Sequence, residues 1–188
     1  MRYAEISQGE IPGISRGDEF LLEPYVAPEK PVDKRSLELF TQMIYLEAGT
    51  CSFEEKIAVG YTAINRMNIE RKKELERVIK KPFQYSCFNN LSEEDIISKR
   101  ELAKKYDPVV WEECEDIAEK ILQEEYLDPT NGATHYYNPR IIQTPKWKMN
   151  KLEEIGKIKT KKGYSKHIFF KEKPEEVNFS PKTYQPSS

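Results

Sequence analysis

Glu47 is a carboxylate in a segment whose spacing predicts an amphipathic helix. The apolar residues of this segment recur three or four positions apart: Leu37, Phe40, Ile44 and Ala48. Glu47 falls on an overlapping face, and Gly49 is expected to end the helix. Loss of water and the negative end of the helix dipole would both favour the protonated carboxyl, the form that a general acid needs. From the pattern alone, the alternative is that Glu47 marks the edge of the apolar stripe and points to water.

A second segment, from Gly132 to Pro139, combines aromatic and polar side chains directly after an Asn-Gly turn. Its side chains with hydrogen-bonding groups are Thr134, His135, Tyr136, Tyr137 and Asn138. Aromatic faces with polar tips suit sugar rings, whose CH faces stack while their hydroxyl and acetamido groups need hydrogen-bond partners. The alternative is an ordinary aromatic strand whose polar tips are satisfied by the fold.

Two other chemistries have weaker support in the residue order. His135 and His167 could hold a metal together with a carboxylate, but no HExxH motif or comparable spacing is present, so no metal site is predicted. Cys87 precedes His135 and Asn138, which is the order of a Cys-His-Asn hydrolase, and Cys51 could take the part of Cys87. Order alone does not establish the geometry that a thiol enzyme requires.

The elements that must position these residues are mainly helices. We predict helices from about Lys34 to Ala48, Ser52 to Met67, around Leu75 to Ile79 with an end at Pro82, Ser92 to Lys105, and Pro108 to Ile121. Ser52 and Glu55 predict a capping box at the second helix, and Asp107 is the expected cap of the fifth, whose apolar stripe includes Cys114. Phe83 to Phe88 is expected to be extended or looping.

The aromatic and β-branched residues become dense late in the chain. Ala133 to Tyr137 and Tyr164 to Phe170 both predict strands. We therefore expect an α+β fold, a predominantly helical domain with a small antiparallel sheet late in the chain.

Length and composition favour one globular domain with two tails. The chain has 188 residues, of which 38% are hydrophobic and 33% charged. Its Pro- and Gly-containing start, residues 1–33, is expected to be an extended arm, residues 34–173 a catalytic domain, and residues 174–188 a tail. Three cysteines at irregular spacing predict no disulfide framework.

The charge pattern gives no general attraction to nucleic acid or to an anionic membrane, because the net charge is −2. Ten lysines and three acids lie between residues 145 and 173. This lysine-rich end is either a solvated face or a surface that meets an anionic polymer. The start lacks the apolar core of a signal peptide, and no stretch reaches the roughly 18 apolar residues of a membrane span. We expect synthesis and retention in the cytoplasm unless another route releases the protein.

Four segments in order resemble the SleB/CwlJ-type cell wall hydrolases, which include spore cortex-lytic enzymes and their phage relatives. The first runs from Tyr45 to Ala48 and continues through Glu54, residues 57–60 and residues 63–66. The others are Phe83 to Cys87, Gly132 to Pro139 (GATHYYNP), and His167 to Phe170. The matches span residues 37 to 171, which is most of the chain.

The resemblance implies a lysozyme-like domain that cuts peptidoglycan glycan strands between N-acetylmuramic acid and N-acetylglucosamine. It implies a lytic transglycosylase in which Glu47 alone acts as acid and then as base, giving 1,6-anhydromuramic ends without a cofactor. The residues implied in substrate binding are Gln84, Ser86, Thr134, His135, Tyr136 and Tyr137. The residues implied in support are Asn65 and Arg66, tying the second helix to the loop that carries Glu47, and His167, which either orients His135 or Glu47 or only packs.

The chain departs from the family pattern directly after Glu47. Where the family has Glu-Ala-Arg-Gly-Glu, this chain has Glu47 followed by Ala48, Gly49, Thr50 and Cys51, so the Arg and the second Glu are missing. The expected partner is peptidoglycan, and the expected state a monomer that acts on the wall or the spore cortex, released by phage lysis, carried in a virion or made in the mother cell. The alternatives are a cysteine amidase or endopeptidase that acts on wall peptides, and an inactive glycan-binding or virion structural protein.

Overall fold

The computed structural model describes residues 31–174 except 73, 144, 146 and 148. The expected arm and tail therefore lie outside the described residues, apart from 31–33 and 174. Five α-helices come first: α1 (Lys34–Ala48), α2 (Phe53–Ile69), α3 (Leu75–Ile79), α4 (Glu93–Tyr106) and α5 (Pro108–Leu122). The segment from Phe83 to Phe88 is a set of turns that ends in a short 3-10 helix, Ser86–Phe88. The predicted helices are confirmed, with ends that differ by two residues or fewer where both ends were predicted.

α1 is the central helix, since it packs against α2, α3 and α5. Its apolar face, including Phe40, Met43 and Ile44, is fully buried, and Cys114 of α5 lies in the same core, as the stripe predicted. Gly60 of α2 faces side chains of both α1 and α5. A Cβ atom at Gly60 would lie 2.7 Å from Ile121 Cδ1 and 3.2 Å from Ile44 Cδ1. The absence of a side chain at Gly60 therefore lets α1, α2 and α5 pack tightly.

The helix caps differ from the predicted ones. The Ser52 hydroxyl accepts from the Glu55 backbone N–H, but the Glu55 side chain does not return to Ser52, so the predicted capping box is only half formed. Asp107 caps α5 by position only, because its carboxylate accepts a hydrogen bond from the Tyr45 hydroxyl instead. The complete capping box of the described residues is at α4, where Ser92 and Asp95 bond each other's backbone N–H groups.

The late part of the chain forms two small antiparallel sheets. The first has the strand order β1-β5-β2, with β1 (His135–Tyr137), β2 (Leu152–Gly156) and β5 (Ile168–Glu172). The second pairs β3 (Lys159–Thr160) with β4 (Gly163–Tyr164). The predicted strand from Tyr164 to Phe170 is therefore wrong as one element, because Ser165 to His167 separate β4 from β5. The α+β class with a small late antiparallel sheet is confirmed.

A turn centred on Asp128 joins the helices to this sheet. Asp128 Oδ1 accepts from the backbone N–H and the hydroxyl of Thr130, at 2.8 and 2.6 Å. Its Oδ2 accepts from the Gly132 N–H at 2.8 Å and from the Asn65 amide at 2.9 Å. The same Asn65 amide donates to the Ala133 carbonyl at 2.9 Å. Asn65 of α2 therefore fixes the turn that leads into β1. Within the described part of the chain, no helix is both long and apolar enough to cross a membrane.

Candidate active site

Glu47 lies where α1, the 83–88 segment and β1 meet. The side chain is half-buried. Its Oε2 accepts a hydrogen bond from the Tyr136 hydroxyl at 2.9 Å, and its Oε1 accepts a long one from the Cys87 backbone N–H at 3.5 Å. The two donors come from separate elements, so the packing of both elements on α1 determines where the carboxylate lies. Partial exposure leaves the carboxyl accessible to a ligand.

The local sequence places Glu47 in the last turn of α1. The helix ends at Ala48, and Gly49 donates its N–H to the Tyr45 carbonyl as the C-cap. A Cβ atom on Gly49 would lie 2.5 Å from that carbonyl oxygen, so glycine is required here by a close approach. The predicted helix end at Gly49 is confirmed, and it leaves Glu47 facing the 83–88 segment and β1.

The 83–88 segment is anchored to α2 through Tyr85 and Arg66. The Tyr85 ring is buried, its hydroxyl lies 3.2 Å from Thr62 Oγ1, and the Arg66 guanidinium lies 5.0 Å from its ring centroid. Arg66 also donates to the Gln84 carbonyl at 3.4 Å. These contacts hold the backbone that presents the Cys87 N–H to Glu47. The side chains of Gln84 and Ser86 make no hydrogen bond to any other described residue, so both are free to meet a ligand.

Tyr136 is the β1 residue that reaches Glu47. Its ring packs edge-on against His167, with centroids 5.1 Å apart, and against Phe169 at 6.0 Å. Burial and then the charge of Glu47 raise the pKa of Tyr136 well above its ordinary value. The hydroxyl therefore stays protonated at physiological pH and can donate to Glu47.

The other aromatic residues of β1 face away from Glu47. Successive strand residues point to opposite faces of a sheet, and His135 and Tyr137 alternate with Tyr136. His135 and Tyr137 pack against Trp147, with ring centroids 5.1 and 6.0 Å apart, and Tyr137 stacks on Phe170. The Thr134 hydroxyl lies 2.9 Å from His135 Nδ1 and is buried. In the GATHYYNP segment, Tyr136 therefore contacts the Glu47 carboxylate. His135 and Tyr137 pack with Trp147 and Phe170 instead.

Trp147 was not predicted from the sequence. It follows Pro145 in a lysine-containing stretch that has no period of its own. The available signal was its aromatic character, one of two tryptophans, shortly after an aromatic strand. Its ring contacts with His135 and Tyr137 depend on the fold and leave no signal in the sequence.

The two supporting residues on α2 lie elsewhere than expected. Asn65 bonds the Asp128 turn and Arg66 bonds the 83–88 segment, so neither ties α2 directly to the loop that carries Glu47. Among the described residues, the His167 ring packs on Tyr136 and Phe169 and makes no ring contact with His135. These three residues therefore support the segments that carry the two hydrogen-bond donors to Glu47, and none of them makes a hydrogen bond to Glu47 itself in the described structure.

Glu55, His167 and Cys51 form a cluster next to this site. Glu55 Oε1 accepts from both the backbone N–H and Nδ1 of His167, each at 2.8 Å. Burial acts to raise the pKa of Glu55, but the bonds from His167 hold it below its usual value. A thiol, a carboxylate and an imidazole lie within 4.8 Å of one another here, which is a donor set that could hold zinc. The Glu55–His167 bonds already satisfy two of the three groups without an ion.

Neither cysteine near the site is activated as a nucleophile. Burial and then Glu47 raise the pKa of the Cys87 thiol far above its ordinary range. Burial and then Glu55 raise the pKa of Cys51 to about 11. A reactive cysteine needs a lowered pKa. His135 makes no hydrogen bond to either thiol among the described contacts, so the Cys-His arrangement is not formed.

Comparison with known proteins gives two matches. The family model described as Cell Wall Hydrolase matches residues 51–170, a range that includes Tyr136 and His167 and begins after Glu47. One solved structure, the catalytic domain of the germination-specific lytic transglycosylase SleB from Bacillus anthracis, is similar with a TM-score of 0.51 and 19% identity. The similarity covers 76% of this chain and 98% of that chain, and it shows a shared fold. No curated protein sequence matches the chain.

Proposed function

Because this chain belongs to the Cell Wall Hydrolase family, we propose that it cleaves the glycan strands of peptidoglycan, with Glu47 as the group that moves the proton. The observation that carries the proposal is the pair of hydrogen bonds on Glu47, from Tyr136 and from the Cys87 backbone. A half-buried carboxylate held by two other elements is oriented as a general acid must be. The side chains of Gln84 and Ser86, in the same segment as the Cys87 N–H that bonds Glu47, would bind the glycan.

The two oxygens of Glu47 are suited to different tasks. Oε2 accepts a good hydrogen bond of 2.9 Å, whereas the contact to Oε1 is 3.5 Å long and therefore weak. Oε1 is the oxygen that would carry the mobile proton and give it to the glycosidic oxygen. The Tyr136 hydroxyl would then stabilise the carboxylate that is left.

The reaction that fits a single acid is a lytic transglycosylase reaction. Glu47 would protonate the oxygen that links N-acetylmuramic acid to N-acetylglucosamine, and the C1–O bond would break. The carboxylate would then take the proton of the muramoyl 6-hydroxyl as that oxygen bonds to C1, which gives a 1,6-anhydro end. A glycosidase that uses water normally employs two carboxylates. Glu55, the one acid among the described residues with less than a tenth of its surface exposed, has its Oε1 bonded to His167.

The test is digestion of purified sacculi by the wild type and by Glu47→Gln. We expect Glu47→Gln to release muropeptides about 10² to 10⁴ times more slowly, because it cannot donate a proton. Mass spectrometry should find 1,6-anhydromuramic ends among the wild-type products. The matched control is Glu38→Gln on the same helix, which removes an ion pair with Arg100 instead.

Three results would contradict parts of this proposal. Unchanged lysis by Glu47→Gln would exclude Glu47 as the acid. Free reducing muramic ends would indicate hydrolysis by water. Wild-type protein that binds sacculi without releasing muropeptides would indicate an inactive glycan-binding protein.

The thiol enzyme is the alternative that a substitution can exclude. We expect Cys51→Ala and Cys87→Ala each to retain activity within about threefold, since the Cys87 contact with Glu47 is made by the backbone N–H. A thiol nucleophile replaced by alanine would lose activity by several orders of magnitude. Lysis assays of both variants under reducing conditions decide between the two.

A further inference from the structure

Glu55 is a buried carboxylate that helix capping does not explain. It is 1% exposed, although glutamate is among the residues least often buried. Its backbone N–H donates to the Ser52 hydroxyl that caps α2, but its carboxylate lies against His167. Burying a charge costs free energy unless it is paired and hydrogen-bonded. The contacts between this carboxylate and His167 therefore need a structural or functional reason.

The carboxylate fixes both the main chain and the ring of His167. One oxygen, Oε1, accepts from the His167 backbone N–H and from Nδ1, each at 2.8 Å. A ring held at its own nitrogen and at its own backbone has little freedom to rotate. His167 is also buried, so its ring plane is set by this one acceptor and by its aromatic neighbours.

The fixed ring of His167 forms one wall around Tyr136. The two rings meet edge to face, with centroids 5.1 Å apart and planes at 84°. Phe169 supports the Tyr136 ring at 6.0 Å. The hydroxyl at the end of that ring donates to Glu47 Oε2 at 2.9 Å. A contact path thus runs from Glu55 through His167 and Tyr136 to Glu47.

We propose that Glu55 is a positioning residue for Glu47, which acts through His167 and the ring of Tyr136. The proposal rests on the proposed function, since it assigns Glu55 a part in the same reaction. Glu55 touches no reacting atom. It determines where the Tyr136 hydroxyl lies, and thereby which direction the Glu47 carboxyl faces.

The test compares Glu55→Ala with Glu55→Gln on soluble glycan strands. We expect Glu55→Ala to lower kcat about 10- to 100-fold with KM nearly unchanged, because a small misplacement of reacting groups has an effect of that size. The fall in log kcat for Glu55→Gln should be less than half of the fall for Glu55→Ala, because the amide oxygen of glutamine can accept the same two hydrogen bonds. Equal loss in both variants would overturn a geometric role.

The matched control for stability is Glu113→Gln. Glu113 pairs with Lys56, the buried neighbour of Glu55 on α2, so this variant also strips a buried group of its partner. We expect Glu113→Gln to lower the unfolding temperature but to leave kcat unchanged at a temperature where all variants are folded. If kcat fell in both variants in proportion to stability, the effect of Glu55 would be structural and the proposal would be overturned.

A double substitution tests the path itself. If Glu55 acts through the Tyr136 hydroxyl, Glu55→Ala should lower kcat much less in a Tyr136→Phe background than in the wild type. Additive losses would contradict the path. A normal kcat in Glu55→Ala beside an inactive Glu47→Gln would overturn the positioning role alone, whereas full activity of Glu47→Gln would overturn the proposed function.

Discussion

His135 is an ionisable residue whose environment opposes its charge. Burial and then the positive charge of Arg66 lower the pKa of His135 to about 4. The ring lies edge-on against Trp147 and beside the Thr134 hydroxyl, neither of which offers an anion. In the unfolded chain a histidine has a pKa of about 6.5. Between these two values the unfolded chain binds more protons than the folded one, so acid favours unfolding.

We therefore predict that the unfolding temperature falls as the pH is lowered from about 6.5 to about 4. The stabilisation is fully present above the unfolded-state pKa and is lost on acidification. His135→Gln should show a smaller fall over the same interval, as measured by circular dichroism melts at pH 7 and pH 5. Every other titrating group is shared by the two proteins, so an equal fall in both would contradict the lowered pKa of His135.

Single residues were predictable from the sequence only where their role is local. Glu47 at the end of an apolar helix could be selected, because the helix period and Gly49 lie within a few positions. Glu55 could not, because Ser52 three residues earlier is a sufficient local explanation and His167 is 112 positions away. Trp147 was missed for the same reason, since its partners are on a strand.

At the scale of elements, Gly60 sets how closely three helices pack. Alanine is favoured over glycine in a helix by about 1 kcal/mol. A Cβ atom at this site, however, would lie 2.7 Å from Ile121 Cδ1, and overpacking a core costs about 1 to 3 kcal/mol. Steric overlap should therefore outweigh helix propensity.

We predict that Gly60→Ala lowers the free energy of unfolding by about 1 kcal/mol in urea titrations. Ile121→Val removes the Cδ1 atom that the new methyl group meets. In an Ile121→Val background, Gly60→Ala should therefore be neutral or stabilising. A stabilising effect of Gly60→Ala in the wild type would show that the helices can separate without cost.

The helices were better predicted than the strands for a physical reason. Each helix satisfies its own backbone within a few residues, so apolar spacing and caps define it. A strand depends on a partner: β2 pairs with β5, whose register with β2 is shifted between Glu154 and Gly156. The two glutamates of β2 interrupt any apolar alternation, and β3 is only two residues long, so both strands were missed.

At the scale of the whole molecule, Asp128 connects the helical part to the sheet. Its carboxylate accepts four hydrogen bonds, three from the turn that leads to β1 and one from Asn65 of α2. Hydrogen bonds to a charged group contribute about 1.5 to 3 kcal/mol each, with losses that are not additive. The position of β1, and of Tyr136 on it, depends on this turn.

We predict that Asp128→Ala lowers the free energy of unfolding by about 2 to 4 kcal/mol and also lowers lysis of sacculi by the folded protein. The control is Asp116→Ala on α5, which breaks an exposed pair with Lys120 and should leave the stability nearly unchanged. Urea denaturation and lysis at a temperature below both transitions measure the two effects. Equal stabilities of the two variants would contradict the connecting role of Asp128.

The order in which the chain is made adds a timing constraint to the hydrogen bond between Tyr136 and Glu47. The two residues are 89 positions apart, and all five helices precede β1. A nascent chain can thus complete α1 to α5 while Glu47 still lacks its hydroxyl donor. The carboxylate acquires that donor only when β1 has docked, so the group proposed as the acid is in its bonded position only after the chain has been made beyond Tyr136.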